Sequence, residues 1–132
     1  MKVGFVNGCF DVLHIGHIRM LNFASSRCDK LIVAIDSDSR VKQLKGETRP
    51  INNCSDRKEF LLNLRAVAEV AVFEDDQGLI NLIKDIKPDI MIVGSDYRNK
   101  TVIGSDHARE LIFFERIEGY STSKIVKSSS DR

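Results

Sequence analysis

The chain is short of three things: net charge, cysteine and long apolar runs. Lys and Arg total 20 against 19 for Asp and Glu, which leaves a formal charge of +1 at pH 7. Without a field of one sign there is no electrostatic footprint for nucleic acid or an anionic membrane, and neither is expected as a partner. The 3 cysteines, Cys9, Cys28 and Cys54, are an odd number with no framework spacing. That excludes a disulfide scaffold and fits a reducing compartment. No apolar run approaches the roughly 20 residues of a membrane span, and the first residues enter a strand rather than a secretion signal. The expectation is a cytoplasmic protein.

What is present is ordinary globular material, 42% hydrophobic and 30% charged over 132 residues. That length suits one domain and is too short for two. Val3 to Val6, Lys30 to Asp36, Val70 to Phe73, Ile90 to Val93 and Leu111 to Phe114 read as strands. Their apolar runs are continuous rather than alternating, as in a parallel sheet covered on both faces. Between them lie helical stripes. Ile18 to Ser26 is broadly apolar, Ser37 to Leu44 is short and polar, and Gln77 to Ile86 repeats at i, i+3, i+4, i+7 before Pro88. Ser55 is the expected N-cap of a helix carrying Phe60, Leu61, Leu64, Val67 and Ala68 on one face. Lys45 to Pro50 reads as a loop, and Ser121 opens a C-terminal helix. The two Gly-Ser-Asp triplets, at 94 and 104, sit in different contexts and read as coincidence. The alternation predicts an α/β, Rossmann-like, doubly wound fold: a five-stranded parallel sheet with helices on both faces. Residues 1–127 form the domain and 128–132 a polar tail. Ligands in such folds bind beyond the carboxyl ends of the strands, at the topological switch point.

The stretch Asn7-Gly8-Cys9-Phe10-Asp11-Val12-Leu13-His14-Ile15-Gly16-His17 falls at such a strand end. His14 lies just outside the first helix and His17 in its first turn. Unpaired N–H groups and the positive end of the helix dipole suit phosphate there, and Gly8 and Gly16 permit close approach. Two plainer readings compete. One is a capping or surface pair of histidines. The other is metal ligation with Cys9, which would need a fourth ligand that the neighbouring sequence does not offer.

Four further features have a plain reading beside a functional one. Lys45 reads as a solvated loop lysine, Arg57 as a surface arginine on a helix, and Gly94-Ser95-Asp96-Tyr97 as a turn. Arg116-Ile117-Glu118-Gly119-Tyr120-Ser121-Thr122-Ser123 reads as a helix start with hydroxyls at its cap, suited to phosphate. Arg116 is left unexplained by capping alone.

The pattern Gly-x-Phe-Asp-x-x-His-x-Gly-His resembles the nucleotide-binding signature of the cytidylyltransferase-like nucleotidyltransferases, relatives of class I aminoacyl-tRNA synthetases. The last four residues spell His-Ile-Gly-His. The resemblance implies that His14 and His17 stabilise the α-phosphate in the transition state, with Gly8, Cys9, Phe10, Asp11 and Gly16 around the nucleotide. Asp11 would touch a metal indirectly or fix the turn. By the same resemblance Lys45, rather than Lys42, closes over the phosphates, and Arg57 contacts a phosphate or the acceptor. Asp96 lies beside base and ribose, and Arg116, Ser121, Thr122 and Ser123 hold the triphosphate. Together these motifs, in the family's order, cover most of the chain.

The implied reaction is nucleotidyl transfer from ATP or CTP, with Mg²⁺ on the phosphates and no assigned metal ligands. The acceptor is a small phosphorylated sugar or polyol, and the family implies a homodimer. Asn7 to His17 with Leu44 to Asn52 resembles the adenylyltransferase domain of ADP-heptose synthases. Arg116 to Ser123 is more similar to the CTP-dependent glycerol-3-phosphate and phosphocholine cytidylyltransferases. The larger match favours a sugar-phosphate adenylyltransferase; no kinase domain, which some heptose enzymes carry, fits this length. A glycerol-3-phosphate cytidylyltransferase is the alternative, and a non-catalytic nucleotide sensor is an alternative of another class. A tRNA-binding module is disfavoured by the near-neutral charge.

Overall fold

The computed structural model describes residues 1–115. Five parallel strands, β1 (Val3–Gly8), β2 (Lys30–Asp36), β3 (Glu69–Phe73), β4 (Ile90–Gly94) and β5 (Glu110–Phe114), lie in the order β3-β2-β1-β4-β5. The chain winds outward through β2 and β3, returns to the other side of β1 and winds outward again. This is the expected doubly wound α/β architecture, with its switch point between β1 and β4. Helices α1 (Ile15–Ser26), α2 (Asp38–Lys45), α3 (Cys54–Leu62) and α4 (Asp76–Ile86) form the crossovers.

Why the strands read as unbroken apolar runs is visible in the core. Val6, Leu31, Val33, Ile35, Ile90 and Ile92 face a cluster that includes Leu21 and Ala24 of α1 and Leu61 of α3. Their sequence neighbours Phe5, Ile32, Ala34 and Met91 face the opposite cluster, with Leu79 and Ile83 of α4. Successive side chains point to opposite faces, and both faces are covered.

Three helix boundaries differ from expectation. Helix α3 is capped by Asn53, whose side chain accepts from the Asp56 N–H at 2.9 Å, so Ser55 lies inside the helix. The helix also stops at Leu62. Leu64 and Val67 still pack into the core, but from the segment that follows, while Phe60 and Ala68 are exposed. Lys45 is the last residue of α2 rather than part of the loop. In each Gly-Ser-Asp triplet the serine opens a 3₁₀ turn, Ser95–Tyr97 and Ser105–His107, but Gly94 is extended and Gly104 left-handed.

The pairing around β1 is uneven. Six residue pairs, Val3↔Lys30 to Gly8↔Ile35, join it to β2. Toward β4 the ladder holds only Gly4↔Ile90 and Phe5↔Met91. The sheet is therefore open between the carboxyl halves of β1 and β4, where the histidine turn emerges.

Candidate active site

Beyond β1 the chain turns at Phe10, whose φ of 51° is in the left-handed region that a bulky residue rarely occupies. Its ring is buried, and Gly8 makes the room for it: a Cβ at Gly8 would lie 3.1 Å from Phe10 Cε2. The space expected for a ligand at Gly8 is thus filled by the protein's own ring. That ring meets His17 at 5.1 Å between centroids.

The histidines begin helix α1 together. His14 is the N-cap, and its Nδ1 accepts the Gly16 N–H at 3.1 Å. The His14 N–H in turn donates to Nδ1 of His17 at 3.2 Å, closing a reciprocal capping box. The rings stack 3.9 Å apart at 28°. A ring nitrogen that accepts carries no proton, so in each neutral imidazole the proton sits on Nε2. The capping reading is therefore correct. Capping through Nδ1 orients two Nε2–H donors side by side at a helix N-terminus.

Asp11 holds this turn against the chain 38 residues later. Its side chain is 0% exposed. Oδ2 accepts from Arg49 Nε at 2.7 Å and from the Ile51 N–H at 2.9 Å, and Oδ1 from the Asn52 N–H at 2.8 Å. The Asn52 side-chain amide donates to the Asp11 carbonyl at 2.6 Å. Burial alone would raise the carboxyl, but the Asn52 and Ile51 amides and the Arg49 guanidinium outweigh it and hold Asp11 below its ordinary value. Of the two readings of Asp11, these contacts support fixing the turn.

Arg57 corrects both of its readings. It is 0% exposed and is no surface arginine. Nε donates to the Asn52 carbonyl at 3.0 Å and Nη1 to the carbonyls of Cys9 (3.0 Å) and Asp36 (2.8 Å). Nη2 donates to the Asp38 carboxylate at 2.8 Å. A guanidinium enclosed in this way has no face to offer a phosphate or an acceptor. It ties three strand-end and loop carbonyls to the start of α2.

Cys9 is half-buried, and burial pushes its thiol up; Arg57 opposes that, Asp11 and Asp36 add to it, and Lys45 opposes it. At neutral pH it is a thiol, a neutral contact rather than a nucleophile. The influence of Lys45 on Cys9 places that exposed lysine, at the carboxyl end of α2, within electrostatic reach of the turn. On the other flank Asp96 is exposed in the 3₁₀ turn after β4. Gly94 allows its carboxylate to fold back, since a Cβ there would lie 2.6 Å from Asp96 Oδ1. Arg116, Ser121, Thr122 and Ser123, with the helix expected from Ser121 and the tail at 128–132, lie outside the described residues.

Sequence reasoning gives no role to Arg49 or Asn52, although the stretch that holds them is family-like. Among the described residues, no group of three or more His, Cys, Asp or Glu side chains is placed to hold a metal ion. No helix among them is long and apolar enough to cross a membrane.

A model of the cytidylyltransferase-like family matches residues 5–128. The chain belongs to the cytidylyltransferase-like family. As a family member it is a nucleotidyltransferase-type enzyme. The Bifunctional protein HldE of a Nitratiruptor species is 48% identical over 126 residues, covering 96% of this chain and 27% of that protein. The Bifunctional protein HldE of Campylobacter concisus is 47% identical over 130 residues, covering 98% and 27%. The chain thus spans about a quarter of the length of these curated relatives. Two crystal structures share the cytidylyltransferase-like member's fold. The lipopolysaccharide core biosynthesis protein from Thermoplasma volcanium superposes with a TM-score of 0.75 at 22% identity, covering 89% of this chain and 99% of that one. The pantothenate synthetase from Thermus thermophilus gives 0.62 at 14% identity, covering 96% and 64%.

Proposed function

We propose that this cytidylyltransferase-like chain is a sugar-phosphate adenylyltransferase of the ADP-heptose type. An oxygen of the acceptor's phosphomonoester attacks the α-phosphorus of ATP in line. A new P–O bond forms, the bond to the β-phosphate bridging oxygen breaks, and pyrophosphate leaves with that electron pair. The nucleophile needs no general base, because a phosphomonoester with a second pKa near ~6 is already an anion at neutral pH. What remains is positioning and the neutralisation of charge on the α-phosphate and leaving group.

The observation that carries this reading is the doubled imidazole cap. Two Nε2–H donors, fixed side by side at the N-terminus of α1, suit a phosphoryl oxygen that gains charge. Lys45, within electrostatic reach of the turn, is the cation for the leaving phosphates. Asp11 holds the turn rigid, and Asp96 stands on the flank suited to the nucleoside. Mg²⁺ enters with the triphosphate: the ion commonly binds through substrate phosphates and water, and supplies charge neutralisation there. The choice of ATP and a sugar phosphate is supported by the identity to HldE proteins and by the likeness of Leu44 to Asn52 to ADP-heptose synthases.

Pyrophosphate release with Mg²⁺, crossing ATP and CTP against heptose 1-phosphate, glycerol 3-phosphate and phosphocholine, tests it. Release is expected with ATP and heptose 1-phosphate and falls by roughly 10²–10³-fold in His17→Ala. Release only with CTP and glycerol 3-phosphate would replace it with the cytidylyltransferase alternative. Triphosphate binding without release from any pair would favour the sensor.

A further inference from the structure

Arg49 is nine-tenths buried, with 8% of its side chain exposed, yet only part of its guanidinium is engaged. Nε donates to Asp11, while the buried Nη2 has no hydrogen-bond partner among the described residues. A buried, charged donor without an acceptor is rare in native proteins and is held there for a reason. The neighbouring Arg57 shows that this part of the fold can saturate a guanidinium, because each of its nitrogens has an acceptor. A carboxylate beside an arginine commonly answers two of its N–H groups at once. Asp11 answers only Nε, while its oxygens also accept the amides of Ile51 and Asn52. The result is a guanidinium clamped by one nitrogen, beside the histidine turn, with another nitrogen lacking an acceptor.

We infer that Nη2 of Arg49 takes a phosphoryl oxygen of a substrate bound at the histidine turn, which makes Arg49 a specificity-determining residue of that site. The planar guanidinium matches phosphate geometry. Anionic oxygen is also what the N-terminus of α1 and the nearby Lys45 favour. The inference rests on the reading of this crevice as a nucleotidyl-transfer site. Two phosphates could supply the oxygen, that of the triphosphate or that of the acceptor, and one experiment separates them.

Dissociation constants of ATP, CTP, heptose 1-phosphate and glycerol 3-phosphate are measured calorimetrically for the wild-type chain and for Arg49→Lys, with thermal unfolding alongside. Lysine keeps the charge opposite Asp11 and removes the fork. The expected result is a loss of roughly 10- to 100-fold for one class, triphosphates or phosphomonoesters, with the other class unchanged. The affected class identifies the phosphate. If neither class changes by more than about twofold, or both fall together with the unfolding temperature, Arg49 is only a brace and the inference is overturned. Should Arg49→Lys fail to fold, a crystal structure of the wild-type chain with a triphosphate and a phosphomonoester decides. A phosphoryl oxygen within hydrogen-bond distance of Nη2 supports the inference, and a water or an empty position overturns it. Binding without pyrophosphate release would sink the enzymatic reading but leave these affinities decisive for Arg49. No binding of any of the four compounds by the wild type overturns both.

Discussion

The two flanks of the crevice are built on opposite principles. On the β2 side the chain is held by buried charge: Asp11 to Arg49, and Arg57 to Asp38 and three carbonyls. On the β4 side a single 3₁₀ turn carries exposed side chains, Asp96 among them. Buried pairs are expensive to assemble and very costly to break, whereas an exposed turn is easily altered. The first flank fixes the backbone on either side of the histidine turn through several buried hydrogen bonds. The second presents Asp96 to solvent at the end of β4. The contrast is between a flank braced by buried charge and a flank that carries exposed side chains.

Four changes would break or sharpen that contrast. Arg57→Met removes the donor from three carbonyls, while Asp38, 44% exposed, regains water, so urea unfolding should show a loss of about 3–5 kcal/mol from the unsatisfied carbonyls. A loss below about 1 kcal/mol would mean that the rigid flank does not depend on it. His17→Ala should lower pyrophosphate release by roughly 10²–10³-fold. A tenfold or smaller effect would remove the imidazole pair from the chemistry. Asp11→Asn leaves Arg49 buried with a weaker acceptor and should destabilise by about 1–3 kcal/mol at neutral pH.

The same aspartate sets a pH signature. Its carboxyl titrates lower in the folded chain than its unfolded value of about 3.9. Its contribution is therefore fully present above that value and is lost as pH falls through the lower, folded one. Thermal unfolding followed from pH 6 down to pH 2 should fall less steeply for Asp11→Asn than for wild type, and equal slopes would contradict the assignment. Gly94→Ala should be the mildest change. Its Cβ displaces only the end of the exposed Asp96 side chain, so stability should stay within about 0.5 kcal/mol. If Asp96 serves the nucleoside, KM for the triphosphate rises severalfold with kcat held. A matching loss of stability would show that this flank is not easily altered after all.

The sheet and its order were legible because continuous apolar runs between helical stripes leave few alternatives. Helix α3 was only half legible. The stripe through Leu61, Leu64 and Val67 reports burial, and burial continues past the last helical residue, Leu62. Asn53 and Ser55 are both good caps by type, and Asn53 prevails by starting the helix two residues earlier. The capping role of the histidine turn was legible, because capping is a demand made on neighbours in sequence. The Asp11–Arg49 pair was not. Its partners are 38 residues apart, and no spacing rule announces a carboxylate that gathers a guanidinium and two amides across that distance. Arg57 was misjudged, as a surface arginine from its place on a helix and as a phosphate or acceptor contact from the resemblance, because its burial, invisible in the sequence, commits it to carbonyls and Asp38.

The short ladder between β1 and β4 has a mechanical consequence. A sheet fastened at its root and unzipped at its tip behaves as two leaves, β3-β2-β1 and β4-β5, that share a spine. At the tip no backbone rung ties the two leaves together among the described residues, so the carboxyl half of β1 takes its support from the β2 side alone.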